Sequence, residues 1–543
     1  MNIIYKASLI MLVVSLFQMT SIKGQDNKTA PKDTAVANKN INENTELSKP
    51  VQPVYTGPDS IKLNKSKDTV HDKYGDLLND DPKYNEKQSI LFPIGGVIVT
   101  NVLINIVDEF VLKLEFSKIS LKSWDQNLKA SFPWGKTWWW DEDRFGNNFF
   151  LHPFTGDSYF NCARADGYNF WESCPFVFAG SYMWKIFGEN GKPEREDIIN
   201  TTTEGIFLGE ILYRVSSNIL DDRTSGIERL GREVLAFVID PARGFNRLFQ
   251  GKTWRSTSNE VYQKEPLTIG ISAGARIVNP GVTFATGKTN PIVNFQLDYG
   301  DPFENRDRKP FDIFKFRTEL NFGSGRKVVD NLIGYGSLFA TNRQYGDLEV
   351  LYGLFLNYDY WDKNSFELAT FGVTAGAMTR WNISKKCNLY TKLHIGVAPF
   401  GGNSTNLNPD TSQYRDYNYG SGMEGQIETT LNVGQHLSFS AVDYYYWIHT
   451  YNAPQPEALA SQGQGVAKYA QYPSNGDNFT NIFRPRVGFN IVGNFNLGFE
   501  EVLYYSDDFS KNFNTIHRKE SEQKIFLTFS LEDFQQDKHA KDK

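Results

Sequence analysis

The sequence predicts a mainly β chain with an N-terminal helical module: an antiparallel transmembrane β-barrel of about twelve strands preceded by about five helices. Three observations predict it. Apolar periodicity switches from helical to two near residue 266, and the links between the later strands alternate short and long. The chain is also 15% aromatic, yet polar on average, with a mean hydropathy of -0.45. Membrane helices would not average out so polar, whereas barrel strands alternate lipid-facing and lumen-facing residues.

Taken from the start, residues 1–25 read as a secretory signal peptide, with Lys6 ahead of the apolar run Ala7–Phe17 and small or polar residues to Gly24. The run is too short to span a bilayer. No Cys follows it, so no lipid anchor is expected there. Residues 26–86 are rich in Asn, Lys, Asp, Thr and Pro and poor in apolar side chains, which predicts a disordered periplasmic tether. The formal charge of -6 excludes the dense basic footprint that a nucleic-acid partner requires.

Residues 87–255 form the predicted helical module. Ile90 to Leu114 is mostly apolar but carries Asn101, Asn105, Asp108 and Glu109, which favours a buried or interfacial helix over a membrane span. Helical spacing then covers Gly156–Ala165, Phe170–Phe187, Asp197–Leu220 and Gly226–Ile239. Asp197 is the expected N-cap of its helix, and Asp240-Pro241 with Gly244 are the expected stop signals.

Residues 265–534 form the predicted barrel, followed by a polar tail at 535–543. Phe314, Phe316, Leu320 and Phe322 share one strand face, opposite Lys315, Arg317, Glu319 and Asn321. Leu389, Leu393, Ile395 and Val397 oppose Tyr390, Lys392 and His394. Val487, Phe489, Ile491, Phe495, Leu497 and Phe499 keep one parity through Gly493-Asn494, as a two-residue hairpin allows. Ile525, Leu527, Phe529 and Leu531 close the series. Links are short at 382–386, 433–435 and 493–494, and long at 400–416, 452–478 and 506–522; the 300–310 link is longer than the scheme predicts. Outer-membrane barrels have short periplasmic turns and long external loops. The rival is a soluble periplasmic barrel, whose strands would be shorter than Leu348–Tyr360.

The densest polar-in-apolar stretch runs from His152-Pro153 through Arg164, Glu172, Glu189, Asp197, Asn200, Glu210, Arg214, Arg229 and Glu233 to Asp240-Pro241, Asn246 and Arg247. This stretch resembles domain-of-unknown-function family 3943, uncharacterised Gram-negative envelope proteins, over roughly residues 100–255. The resemblance implies no activity and marks these polar positions as the special ones. Physically they admit two readings. His152 could act as a general base oriented by Glu172 or Glu189, with a lipid ester as substrate and Arg164, Arg214 or Arg229 holding a phosphate. Alternatively, Arg164, Asp197, Asn200, Glu210, Arg214, Arg229, Glu233, Asn246 and Arg247 form a structural polar network. Glu210 with Arg214, and Arg229 with Glu233, stand four apart, where charges pair on a helix. Gly180, Gly205 and Gly209 suit close helix contact.

Gly270-Ile271-Ser272-Ala273-Gly274 matches a nucleophile elbow in letters only, because it lies within an alternating strand. No histidine spacing suggests a metal, and no phosphate or dinucleotide fingerprint suggests a cofactor. Cys162 and Cys174 could form a bridge or remain free thiols. Lys315, Arg317, Glu319 and Lys392 are expected to face the lumen. The expected protein is therefore an outer-membrane barrel with a structural, transport or envelope-maintenance role, its helices docked at the rim or partly inside. Its expected partners are outer-membrane lipid and, by location, the barrel-insertion machinery. A lipid-modifying hydrolase or acyltransferase and a soluble periplasmic binding protein are the alternatives.

Overall fold

The computed structural model describes residues 80, 83–131, 145–323, 328–363, 365–404, 417–434, 436–451, 476–510 and 515–531. The predicted signal peptide, nearly all of the tether, most of the two longest loops and the C-terminal tail lie outside these residues.

Twelve antiparallel strands close into a barrel in sequence order. They are β1 (Leu267–Pro280), β2 (Lys288–Tyr299), β3 (Phe314–Asn321), β4 (Val329–Tyr345), β5 (Leu348–Asp362), β6 (Glu367–Ser384), β7 (Cys387–Ser404), β8 (Asn418–Val433), β9 (Leu437–Thr450), β10 (Gly476–Val492), β11 (Phe495–Ser510) and β12 (Ile516–Leu531). β1 meets β12 in register from Ile269 opposite Leu531 to Pro280 opposite Glu520, so no edge is left unpaired. Alternation in β7 shows which way the wall faces. Leu393, Ile395 and Val397 are 50%, 58% and 52% exposed, while Lys392 and His394, of the opposite parity, are 1% and 0% exposed. Here the wall is apolar outside and polar inside; toward the loop end the lumen also holds a buried apolar cluster that includes Trp361, Leu368, Tyr444, Ile448, Ile482 and Val502.

The end of the barrel where β1 starts carries the short turns at 346–347, 385–386, 434–436 and 493–494. At the last of these, Gly493 takes a φ of 52°, which suits glycine in a tight hairpin. The opposite end carries the longer links at 405–417 and 451–475. The long 506–522 link is corrected: β11 and β12 stay paired out to Asp508 opposite Ile516, leaving only 511–515 between them.

Seven α-helices precede the barrel among the described residues: α1 (Leu91–Ile106, extended by a π-helical turn at Val107–Val111), α2 (Leu121–Ser131), α3 (His152–Arg164), α4 (Phe170–Phe187), α5 (Arg195–Ile219), α6 (Gly226–Ile239) and α7 (Pro241–Phe249). Two of them were not expected. α2 is polar and short. α7 begins at the predicted stop, because Asp240 ends α6 and caps α7 by accepting from the Arg243 amide at 2.9 Å. Gly244 therefore sits inside a helix, where it lets Phe237 approach. Asp197 is not an N-cap either: α5 starts at Arg195, and Asp197 lies in its first turn.

The helices pack neither at the rim nor in the lumen but against the outside of the wall. Leu356, Tyr358 and Tyr360 of β5 alternate with lumen-facing Asn357, Asp359 and Trp361, yet they are buried. Phe207 of α5 covers Tyr358, and Phe145 stacks on Tyr360 at 5.3 Å between ring centroids. Phe149 packs on Phe400, Tyr417 and Tyr419, and the Asn148 side-chain amide donates to the Tyr419 hydroxyl at 2.9 Å. One hydrophobic cluster thus runs from the helices into the outward faces of β2–β5, β7 and β8. α5 spans the height of the wall. Near its start, Asn200 donates to the Asn148 carbonyl beside the loop end; near its finish, Asn218 donates to the Glu265 carbonyl just before β1.

α1, α3, α4 and α5 alternate in direction along the wall. α1 is inside-out: Thr100, Asn101 and Asn105 are buried while Leu91, Phe92, Ile94, Ile98, Val99 and Val102 are exposed. The segment Leu91–Val111 is long and apolar enough to cross a membrane. Of the polar residues that argued against a span, Asn101, Asn105 and Asp108 are buried in the bundle.

Glycines set the helix spacing. A Cβ on Gly205 of α5 would collide with the backbone at Gly156 of α3, and one on Gly180 would enter the Tyr159 ring. Replacing Gly205 with Ile is expected to destabilise the bundle by about 1–3 kcal/mol or more, read as faster amide exchange across α3 and α5. Unchanged exchange would contradict this close approach.

Candidate functional site

Two buried polar assemblies are candidates, one in the bundle and one in the lumen. In the bundle, Glu210 of α5 accepts a forked pair from Arg164 of α3, at 2.7 and 3.0 Å, and a third bond from Arg214 one turn on, at 2.8 Å. Arg214 continues to Asp312 at 2.7 Å and to the Pro310 carbonyl at 2.7 Å. Both of those acceptors belong to the β2–β3 link, the one whose length departs from the scheme. That link is long because it reaches the helices: Phe311 is buried against Phe170 and Phe207. Its φ of 60° is an uncommon conformation for a side-chain-bearing residue, held here by packing.

Near the loop end, Lys185 of α4 is 2.9 Å from Glu189 and 2.8 Å from Glu194, and also pairs with Asp197. His152 joins this group. Its Nδ1 is 3.0 Å from the Thr201 hydroxyl, and its Nε2 stands 3.5 Å from Asp197. Both ring nitrogens therefore face groups of the bundle itself. Glu172 is not with them. It closes the capping box of α4 with Asn169 and pairs with Lys87 at 2.8 Å, at the other end of the helix. The proposed base, His152, and its proposed orienter Glu172 are thus kept apart, whereas Glu189 reaches His152 only through Lys185 and Asp197.

A third knot lies beyond the turn end, between α5 and β1. Asp222 receives Arg229 at 2.9 Å, Arg247 at 3.1 Å and Arg255 at 2.6 Å; Glu233 receives Arg229 at 2.8 Å and Arg247 at 2.6 Å. Asn246 donates to Asp166 at 2.9 Å. Cys162, Cys174 and Cys387 are free thiols, with Cys162 buried beside Thr100.

In the lumen, Arg276 of β1 reaches Glu319 at 2.9 Å, Asp330 at 2.7 Å and Glu522 at 3.1 Å. Lys524 bridges Glu319 at 2.8 Å and Glu522 at 3.1 Å, and Lys363 pairs with Asp330. These side chains come from β1, β3, β4 and β12 and from just beyond β5, so the network crosses the barrel. Every one of them is at most 3% exposed. Glu319, Asp330 and Glu522 lie close enough together to hold a cation, but Arg276, Lys363 and Lys524 already neutralise them. Lys315 and Lys392 converge on Glu428, each at 3.2 Å. The Tyr446 hydroxyl donates across the lumen to Asp359 at 2.8 Å.

Arg317 also faces inward and takes Gln296 at 3.2 Å. Ser272, from the glycine-serine motif, shares a 2.8 Å hydrogen bond with Thr528 inside a regular strand pair. Lys185, Asp312, Arg276, Lys363, Glu522 and Lys524 were missed in the sequence. For the strand residues, inward parity was the available signal.

The Asp222 knot has a pH consequence. Burial would raise the Asp222 carboxyl, but Arg247, Arg255 and Arg229 outweigh it and hold the group below its ordinary 3.8. A depressed carboxylate stabilises the fold above its unfolded pKa, and that contribution disappears as pH falls through the folded value. Amide protection over residues 222–255 is therefore expected to persist down to about pH 4 and to fall at lower pH, before barrel strands open. Protection that is independent of pH would contradict this assignment.

No curated protein matches the chain. Solved structures that resemble its barrel include the NanC porin, at 9% identity over 48% of this chain and 100% of that one, with a TM-score of 0.25. The outer membrane channel DcaP of Acinetobacter baumannii matches at 8% identity over 49% and 96%, with a TM-score of 0.22. The CymD monoaromatic hydrocarbon channel matches at 8% over 49% and 89%, with a TM-score of 0.19. Likeness at this level carries no argument about function. Residues 137–242, which hold α3 to α6 and the start of α7, match the model of a domain of unknown function, DUF3943.

Proposed function

We propose that the chain is an integral outer-membrane protein in which barrel and helical bundle share the lipid phase, serving a structural or envelope-maintenance role rather than acting as an open pore. The observation that carries this reading is the common outer surface. β7 and β12 present Ile395, Val397, Ile525 and Leu527, α1 presents Ile98, Val99 and Val102, and Lys392, His394, Lys524, Asn101 and Asn105 turn inward. In water such a surface would be a large exposed apolar patch, whereas acyl chains solvate it. α6 extends the surface at the turn end, with Ile227, Leu230, Val234 and Val238 exposed on one side, as expected of a helix lying at a membrane interface. The short turns and helices α6 and α7 would then face the periplasm, lipid would be the principal partner, and the barrel-insertion machinery would deliver the protein.

The lumen argues against free diffusion. Opening a path would strand Arg276, Lys524, Glu319 and Glu522 without partners, and breaking one buried pair typically costs about 3–5 kcal/mol. In planar bilayers the purified protein is expected to insert without steady conductance and, in cells, to resist alkaline carbonate extraction. A stable ohmic current would overturn the closed-lumen reading; release by carbonate would overturn integral placement.

A further inference from the structure

Below the ion-pair network, toward the turn end, the lumen holds a cavity of about 170 Å³. That is room for about six waters at their liquid volume. Its wall comes from β1–β3 and β9–β12, and its ionisable lining is Asp298, Arg317, Arg484, Arg486 and Glu500. Both acids already have cations beside them. Lys315 stands 3.8 Å from Asp298, while Arg484 and Lys524 stand 2.7 and 3.8 Å from Glu500.

The arginines are not matched in return. Arg484 is 5% exposed and gives one nitrogen to Glu500, leaving its Nε and other terminal nitrogen without a partner among the described residues. Arg317 donates to the Gln296 side-chain oxygen and has no carboxylate within pairing distance among the described residues. Arg486 lies over the Phe526 ring at 4.7 Å and has no carboxylate within pairing distance among the described residues. Buried guanidinium donors without acceptors, as at Arg484, are costly, and an oxyanion in the cavity would supply acceptors in forked geometry to Arg484 and to the half-buried Arg317 and Arg486. Glycine at 270 keeps the floor open, since a Cβ there would touch only Gln296 and Thr528, at 3.6 and 4.0 Å.

We infer that this vestibule is a binding site for a small oxyanion, a phosphate or phosphomonoester, held by Arg317, Arg484 and Arg486. The inference does not depend on the envelope role proposed above. A ligand of this chemistry is either free phosphate or the polar fragment of a phospholipid headgroup.

The test is calorimetric titration of the full chain in detergent at constant ionic strength, with inorganic phosphate in one arm and glycerol 3-phosphate in the other. Saturable binding of either probe is expected, the tighter of the two identifying the source. The Arg317→Gln, Arg486→Gln pair should weaken it by about tenfold or more. Arg484 is left intact because it holds Glu500. Retained heat-modifiable gel mobility shows that a variant has folded. If the double variant does not fold, Gly270→Leu fills the cavity with all three arginines in place and should abolish binding. Absence of saturable binding by both probes, or unchanged affinity in folded variants, would overturn the inference.

Discussion

Apolar surfaces that meet inside lipid gain little from the meeting, because the acyl chains they displace are as apolar as they are. On the proposed lipid placement, close packing and polar bonds fasten the helices to the wall, and the central one is the chain Arg164–Glu210–Arg214–Asp312. It starts on α3, crosses α5 and ends on the β2–β3 link of the barrel. With its neighbours satisfied, it costs little to bury; with one member gone, the others would be stranded charges. Tyr358 and Tyr419 repeat the device near the loop end, bonding the backbone at Phe149 and the side chain of Asn148.

The same constraint explains why the two polar assemblies look alike. Bundle and barrel both turn ionisable groups away from their outer surface, and both then have to pair them. In the bundle the pairing holds His152, Lys185, Asp197 and Glu189 together. In the lumen it closes the path that the strand arrangement alone would leave. The vestibule differs in leaving Arg484 guanidinium nitrogens without acceptors among the described residues.

Much of this was legible from residue order, and the reasons differ by element. Strand faces were readable because period two leaves one answer for each side chain, so Lys315, Arg317, Glu319 and Lys392 each take one parity from the sequence alone. Phe170–Phe187 matches its predicted bounds because Asn169 and Glu172 form a local cap. Asp197 misled because its carboxylate serves distant partners, Lys185 and His152, rather than the amides of its own turn. Asp240-Pro241 ends one helix and starts the next with the same two residues, so it reads as a stop. The lateral position of the helices was not legible at all. An apolar stripe looks the same whether it will meet a core or acyl chains, and only the polar residues on the buried side of α1 distinguish the two.

The most direct measurement is the accessibility of spin labels on cysteines placed one at a time at Ile98, Val102 and Ile395 in bilayer-reconstituted protein. If helices and barrel share one lipid-facing surface, dissolved oxygen should relax all three labels strongly and a water-soluble nickel chelate should leave them untouched. Strong relaxation by the chelate at Ile98 and Val102, with Ile395 still shielded, would place the helices in water and contradict the account.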